Sequence, residues 1–267
     1  MTDAVAAVGP EWGRVRLTFR EHVATLTVER PAKLNALTPE MLEQLSYLLG
    51  DVANSDARLL IVRGAAGNAF CVGADLNRFA GLSPAEMWRS WTARGHRAFE
   101  ALARLHQPTI AVLHGHAFGG GLELALACDF RVAAEHVTLG LPEVGLGTVP
   151  GWGGTERLTE LVGRARAKEV VMARRQLDAA TALAWGVVTR VAPEPDLEGA
   201  MDDLVDSLLA GAPLAIELAK QLIDAAAEGA SSAVLEPLAA GLTAASADLS
   251  EGILAFRERR PAAFNGG

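Results

Sequence analysis

The stretch HGHAFGGGLELALACDF, residues 114–130, decides the fold, because three consecutive glycines separate a strand-like segment from a helix-like one. TIAVLHG (109–115) is typical of a buried strand, and LELALACDF is typical of a helix start. A glycine inside a helix costs roughly 1 kcal/mol relative to alanine. The triplet therefore indicates that bare backbone is required here. The unpaired N–H groups of a helix N-terminus would allow an oxygen anion to approach closely.

Two nucleotide-binding motifs contain a comparable glycine turn, and neither fits these residues. A phosphate loop requires GxxxxGK followed by Ser or Thr, and no such lysine follows the triplet. The dinucleotide fingerprint requires GxGxxG, but Gly119 and Gly121 are followed by Leu124 at the last position. The alternative that the glycines only allow close packing of a helix on a strand remains open.

Two glutamates near this turn are candidate acids. Glu123 lies in the first turn of the predicted helix, where the helix dipole favours a carboxylate. The apolar neighbours of Glu123 predict a low-dielectric setting, which raises the pKa of a carboxyl group. Glu143 lies in the loop LGLPEVGLGTVPGWGGTERL (139–158), which is rich in Gly and Pro. The structural alternatives are an ordinary helix-start acid for Glu123 and an exposed loop acid for Glu143.

A third segment, NAFCVGADL (68–76), again resembles a strand that is followed by a glycine turn. Ala74 could offer a second backbone N–H group at this turn. We expect Asp75 to cap the following helix and Cys71 to pack as a small apolar group.

The rest of the chain repeats the strand–loop–helix pattern. Residues 14–20 and 22–28 alternate apolar and polar positions, which predicts a hairpin, and Thr38 predicts the N-cap of a helix. A strand is predicted over 58–64, a long helix from Ser83 to Leu105 and a strand at FRVAAE. This pattern favours an α/β fold with the site at the carboxyl ends of strands. From about Arg164 onward we expect almost only helix, over 178–186, 197–211 and 213–229.

Composition limits the classes of protein. The 267 residues are 50% hydrophobic, which predicts one large integrated domain, and the net charge of −8 disfavours a nucleic acid partner. Two cysteines are too few for a disulfide framework and have no zinc-ligand spacing, which suits a reducing compartment. The first ten residues resemble no targeting peptide, and no apolar stretch reaches the ~18 residues of a membrane span. A cytoplasmic protein without a membrane segment is expected.

Taken in order, several segments resemble the crotonase superfamily, also called the enoyl-CoA hydratase/isomerase superfamily. They are ERPAKLNALTPEM (29–41), NAFCVGADL (68–76), GHAFGGGLELALACD (115–129), LGLPEVGLGTVPGWGGTERL (139–158) and EGILAFRERRPAAF (251–264). The resemblance implies a crotonase-like α/β spiral of ββα turns, with residues 1–195 as the core and 196–267 as a C-terminal helical trimerisation subdomain. It also implies a homotrimer or a dimer of trimers.

The resemblance further implies roles for individual residues. Ala74 and Gly120 would donate the two N–H groups of an oxyanion hole, and Glu123 and Glu143 would be the catalytic acids of a hydratase. The implied substrate-binding residues are Lys33, Leu34, Ala74, Asp75, Leu76, Asn77, Gly120 and Gly151. The sequence departs from the usual family residues at Val72, Leu76, Trp152 and, where a Lys would be usual, Pro261.

The activity implied by the resemblance is hydration of a trans-2-enoyl-CoA to 3-hydroxyacyl-CoA, in lipid metabolism. Glu123 would deprotonate the water and Glu143 would protonate C2, with no metal and no cofactor apart from the CoA thioester of the substrate. The alternatives are an enoyl-CoA delta-isomerase or another crotonase-fold acyl-CoA enzyme. A rival of another class is a non-catalytic or RNA-binding relative, which would lack a glutamate or carry a basic surface.

Two histidines and two tryptophans could have either a functional or a purely structural role. His114 and His116 have the spacing of a metal pair on a strand, but no third ligand is nearby, so no metal site is predicted. Trp88 and Trp91 follow the GAD turn, where packing is the expected role and the lining of an acyl pocket is the alternative.

Overall fold

The structure of the protein, a computed structural model, describes residues 12–267. The strands are β1 (Arg14–Arg20), β2 (Val23–Glu29), β3 (Leu59–Gly64), β4 (Ala69–Cys71), β5 (Thr109–Leu113), β6 (His116–Phe118), β7 (Phe130–Ala134), β8 (Thr138–Gly140), β9 (Leu177–Asp178) and β10 (Arg190–Ala192). The helices are α1 (Pro39–Ala53), α2 (Leu76–Phe79), α3 (Pro84–Glu86), α4 (Ala93–Ala103), α5 (Gly120–Leu126), α6 (Gly154–Met172), α7 (Ala179–Ala184), α8 (Leu197–Leu209), α9 (Pro213–Ala227), α10 (Ser232–Ala244) and α11 (Ala247–Glu258).

The strands form two sheets that the chain visits alternately. The larger sheet has the order β1-β2-β3-β5-β7-β10, and the smaller has the order β4-β6-β8-β9. The pairs β3–β4, β5–β6 and β7–β8 each place one strand in each sheet. Helices follow all three pairs, so the chain makes the repeated ββα turns expected from the sequence. The predicted hairpin is confirmed, since β1 and β2 pair antiparallel.

The central strands and the first long helix follow from their residues. β5 is buried at all five positions, as expected for a parallel strand that is covered on both faces. The Thr38 side chain accepts a hydrogen bond from the Met41 N–H group and caps α1, as predicted. The apolar side of α1 faces the core through Met41, Leu42, Leu45, Leu49 and Val52.

The structure refines one prediction about helices and corrects another. The long helical stretch predicted from about Ser83 to Leu105 is confirmed as an unbroken run of helical residues from Pro84 to Ala103, in which Met87–Thr92 forms a π-helical segment between α3 and α4. The chain after Arg164 is not almost wholly helical, because β9 pairs with β8 and β10 pairs with β7. Strands this short are held by pairing with distant partners, which local sequence periodicity does not reveal.

The C-terminal part of the described chain consists of α8 to α11. Within residues 12–267, none of the helices combines the length and the apolar character needed to span a lipid bilayer. The division of the chain at residue 195 stays a prediction. The prediction about the first ten residues concerns positions outside the described residues.

Candidate active site

The three glycines at the start of α5 meet three different requirements. Gly119 has φ 54° and ψ −131°, a conformation that only glycine adopts readily. A Cβ atom at Gly121 would lie 2.5 Å from the carbonyl carbon of Cys71. A Cβ atom at Gly120 would lie 2.5 Å from Cε3 of Trp152. Close packing of the helix on the strand therefore explains the glycine at 121. The glycine at 120 instead leaves room for the Trp152 ring.

Two candidate N–H donors lie on neighbouring stretches of backbone. Gly120 is the first residue of α5, and such an N–H group has no acceptor within its helix. A Cβ atom at Gly73 would lie 2.7 Å from the Gly120 nitrogen. Leu37 N–H donates to Gly73 O and Asp75 N–H donates to Leu37 O, so in this parallel bridge the Ala74 N–H group faces away from Leu37. The structure thus brings the Gly73–Ala74 turn against the start of α5.

Glu123 is only 2% exposed, and backbone N–H groups hold its carboxylate. Its Oε1 atom accepts hydrogen bonds from the N–H groups of Trp152 and Gly154, each at 2.8 Å. Burial raises the pKa of Glu123, and the N–H groups of Gly154, Trp152 and Gly151 act in the opposite direction. The carboxylate is therefore fixed in position by the turn that precedes α6.

Arg157 supports that turn from the other side. Its guanidinium donates to the Trp152 carbonyl at 3.1 Å and to a Glu100 carboxylate oxygen at 2.8 Å. The positive charge also acts against the rise in the pKa of Glu123 that burial causes. Arg157 therefore acts on Glu123 through the backbone of residue 152 and through its charge.

Glu143 begins the 3-10 turn Glu143–Leu146 that follows β8. Both of its carboxylate oxygens are buried and have no hydrogen-bond partner among residues 12–267. Burial raises the pKa of Glu143 to about 7; its own backbone N–H group opposes this rise, and the negative charge of Glu123 adds a smaller increase. A Cβ atom at Gly119 would lie 3.2 Å from Glu143 Oε1, so this carboxyl group faces the glycine turn. Such a group can hold or release a proton near neutral pH.

Trp152 is wedged between two glycines. Its side chain is buried, and a Cβ atom at Gly95 would lie 2.6 Å from Cδ1 of the ring. The ring centroid lies 5.5 Å from that of Trp91 and 5.3 Å from that of Phe99. The indole therefore fills the space between α4 and the start of α5.

Several of the predicted substrate-binding residues lie on two adjoining segments. The Val72 N–H group donates to the Leu34 carbonyl at 3.2 Å, which joins residues 30–37 to residues 72–77. The exposed residues of these segments include Lys33, Leu34, Leu76 and Asn77. Gly151 lies instead in the turn that holds Glu123. Their contact with a substrate stays a prediction.

Asp75 has internal partners. Its carboxylate accepts a hydrogen bond from the Asn77 N–H group and caps α2, as expected from the sequence. The other oxygen lies 2.6 Å from Arg30 Nη1 in a buried ion pair. These contacts keep the pKa of Asp75 low despite its burial. The side chain of Asp75 thus anchors the turn that carries Ala74.

The histidines, cysteines and tryptophans considered in the sequence analysis have contacts of other kinds. His116 Nδ1 accepts a hydrogen bond from the Thr138 N–H group, and residues 12–267 contain no cluster of three His, Cys, Asp or Glu residues suited to a metal ion. Cys71 and Cys128 are both free and buried. Trp88 is exposed, whereas Trp91 packs against Trp152.

Sequence reasoning missed the contribution of the turn before α6. The N–H groups of Trp152 and Gly154 bind Glu123, and Arg157 supports them. The unusual tryptophan among glycines marked this turn in the sequence, but spacing alone did not indicate its partner 29 residues away.

Comparisons with known proteins identify the family. The family model described as enoyl-CoA hydratase/isomerase matches residues 18–267. The chain is 36% identical to the short-chain-enoyl-CoA hydratase of Clostridium acetobutylicum, over 80% of this chain and 82% of that protein. It is 36% identical to the crotonyl-CoA hydratase of Syntrophomonas wolfei, over 93% and 96% of the two chains.

Solved structures give the same result for the fold. The crystal structure of an enoyl-CoA hydratase from Bacillus anthracis superposes with a TM-score of 0.89 at 34% identity, covering 95% of this chain and 99% of that one. The expected crotonase-like architecture is therefore confirmed. By sequence and by fold, the chain belongs to the enoyl-CoA hydratase/isomerase family of the crotonase superfamily.

Proposed function

We propose that this protein is an enoyl-CoA hydratase that adds water to a trans-2-enoyl-CoA. The observation that carries the proposal is the pair of buried glutamates, Glu123 and Glu143, beside the start of α5. The names of the relatives support the same class of substrate. In this proposal the reaction uses no metal and no cofactor apart from the CoA portion of the substrate. We also propose that the protein is cytoplasmic.

In the proposed reaction, Glu123 accepts a proton from water as the water oxygen forms a bond to C3. The electrons of the double bond move towards the thioester, whose oxygen becomes an enolate facing the N–H groups of Ala74 and Gly120. Glu143 then donates its proton to C2. Each preorganised N–H donor contributes roughly 3 kcal/mol to such a transition state.

The electrostatics of Glu143 support its role as the acid. Glu143, with a pKa of about 7, can carry a proton at neutral pH, as a general acid must. Burial is the largest effect on Glu123 and raises its pKa, while three backbone N–H groups and Arg157 act in the opposite direction by stabilising the carboxylate form that a general base requires. An isomerase of this family would need only one acid, whereas both acids here are buried at the same turn.

The direct experiment is to mix pure protein with a 2-enoyl-CoA and no added metal. We expect loss of the enoyl absorbance, because the two acids and both amide positions are in place. A series of thioesters from short to long would define the range of substrates. Positional isomerisation of a 3-enoyl-CoA without any hydration would replace the proposal with the isomerase alternative.

The rate should depend on pH through Glu143. Above about pH 7 this carboxyl group loses the proton that it must donate, so kcat/KM for hydration is expected to fall as pH rises through that value. Dehydration should follow the same profile, because both directions use the pair of acids with one shared proton. The measurement is kcat/KM in both directions on either side of pH 7. An undiminished rate well into alkaline solution would remove Glu143 as the acid.

We also propose that the protein forms a trimer or a dimer of trimers. The C-terminal helices carry exposed large apolar side chains: Ile223, Val234, Leu238, Leu242, Leu249, Ile253, Leu254 and Phe256. Such a surface is typical of one that a second copy covers.

Light scattering should therefore give three or six copies at micromolar concentration. Leu238→Asp is expected to shift the population towards monomer, because it places a charge in the proposed interface. The matched control is Phe19→Asp, which changes an exposed apolar residue on the edge strand β1. A monodisperse wild-type monomer would contradict the proposal.

A further inference from the structure

We infer that the Trp152 indole is the end wall of the acyl pocket and restricts the enzyme to short 2-enoyl thioesters. The inference rests on the proposed hydratase function, since it assumes where the reacting carbons lie. Trp152 would be a specificity-determining residue in addition to its backbone contact with Glu123.

The position of Trp152 ties its ring to the reacting atoms. Its N–H group donates to Glu123 Oε1 at 2.8 Å, while its ring lies against the Cα atom of Gly120. If the thioester oxygen faces the Gly120 N–H group and C3 faces Glu123, the carbons beyond C3 begin next to this indole. A long acyl chain would have to pass the space that the ring fills.

The neighbours of Trp152 make the wall rigid. Gly120 and Gly95 lie so close to the ring that neither position has room for a Cβ atom. Trp91 and Phe99 contact the ring from the π-helical segment and α4, and only 3% of Trp152 is exposed. The indole is therefore held on several sides, and it has little space into which it could swing away.

The wall also continues towards the second amide position. Trp91 is 6.4 Å, centroid to centroid, from Phe79, which ends the short helix α2 that follows Ala74. The cluster Phe79–Trp91–Trp152–Phe99 thus runs from the segment after Ala74 to the start of α5. An acyl chain bound between the two amides would meet this aromatic cluster.

The test compares wild type with Trp152→Ala, using crotonyl-CoA and trans-2-decenoyl-CoA. The ratio of kcat/KM for the ten-carbon substrate to that for the four-carbon one is expected to rise about tenfold or more, because one methylene in an apolar pocket already changes discrimination by about that factor. Taking the ratio cancels any loss of rate from disturbance of Glu123. Trp88→Ala is the matched control, since Trp88 lies in the same π-helical segment as Trp91 but is 70% exposed.

A second readout does not require turnover. Calorimetric titration with butyryl-CoA and decanoyl-CoA should show tighter binding of the longer thioester relative to the shorter one in Trp152→Ala but not in Trp88→Ala. Trp152→Phe, which keeps an aromatic ring of smaller size, should give an intermediate shift in both ratios. This variant decides the matter if Trp152→Ala does not reach the native fold, as judged by circular dichroism and oligomer size.

The outcomes separate the two proposals. A folded Trp152 variant with unchanged ratios for both turnover and binding would overturn the role of Trp152 while leaving the hydratase proposal in place. A wild-type protein that hydrates no enoyl-CoA would overturn the hydratase proposal, and the binding ratios would still decide whether Trp152 limits the acyl chain.

Discussion

Glu123→Gln and Glu143→Gln are each expected to lower the turnover of a 2-enoyl-CoA by a factor of about 100 to 10,000, the usual contribution of a general acid or base. Each change keeps the size of the side chain and removes its ability to exchange a proton. In Glu123→Gln the amide oxygen of the new side chain can still accept hydrogen bonds from the N–H groups of Trp152 and Gly154, so the turn should persist. Steady-state kinetics together with thioester binding would measure the effect.

The control for loss of one carboxylate near the same turn is Glu156→Gln, at an exposed position in the first turn of α6. This variant should keep near-native turnover. A glutamine variant at 123 or 143 with near-native turnover would exclude that residue from proton transfer.

Glu143→Gln has a second expected effect, on stability. The folded-state pKa of about 7 lies above the ordinary value of 4.5, so ionisation of Glu143 destabilises the folded state progressively between these values and fully above them. The glutamine variant should therefore have a higher thermal midpoint than wild type at pH 8 and a similar one at pH 4. If the difference in thermal midpoint between variant and wild type were the same at pH 4 and pH 8, the folded state would not raise the pKa of Glu143.

Gly120→Pro is expected to reduce turnover by a factor of about 100 to 1000, since loss of one oxyanion-hole donor typically has this effect. Proline has no N–H group, yet it is tolerated at the first position of a helix such as α5. Gly120→Ala keeps the donor but places a Cβ atom too close to the Trp152 ring. Proline brings the same Cβ atom and also removes the donor, so we expect both single variants to lose activity and Gly120→Pro to lose more.

Adding Trp152→Ala to each variant separates the steric effect from the loss of the N–H donor. Removal of the indole should restore part of the activity of Gly120→Ala, because the steric conflict is relieved. In Gly120→Pro it should relieve the same conflict but leave a loss of about 100- to 1000-fold, because the donor is still missing. Circular dichroism and oligomer size must match the parent protein in each comparison. A folded Gly120→Pro variant with near-native turnover would rule out the residue 120 amide as an oxyanion donor.

The sequence predicted the elements whose signals are local. The alternation in β1 and β2 and the Thr38 cap are such signals, and the structure confirms the elements that they predict. The sequence also singled out Glu123 and Glu143, because each is an acid in an apolar or rigid setting. The structure has Glu123 in the first turn of α5 and the carboxyl group of Glu143 facing Gly119, just before that helix. Their roles in chemistry stay predictions.

Contacts between distant segments could not be predicted in the same way. The sequence indicated that the glycine triplet needs bare backbone, but not what each glycine meets: the positive φ is at Gly119, and a Cβ atom at Gly120 would meet the Trp152 ring. The strands β4, β6 and β8 have only three residues each and are held by pairing with one another. No local period in the sequence identifies a packing partner, so these contacts are evident only in the folded structure.

The most direct test of two-acid hydration is to incubate crotonyl-CoA with pure protein in deuterium oxide and to analyse the product. Mass spectrometry and NMR should find 3-hydroxybutyryl-CoA that carries deuterium at C2 with the wild-type protein, and almost none with the Glu123→Gln/Glu143→Gln double variant. The opposite result would be that crotonyl-CoA is recovered unhydrated, while in a parallel incubation a 3-enoyl-CoA is converted to its 2-enoyl isomer. That result would contradict the proposed hydratase.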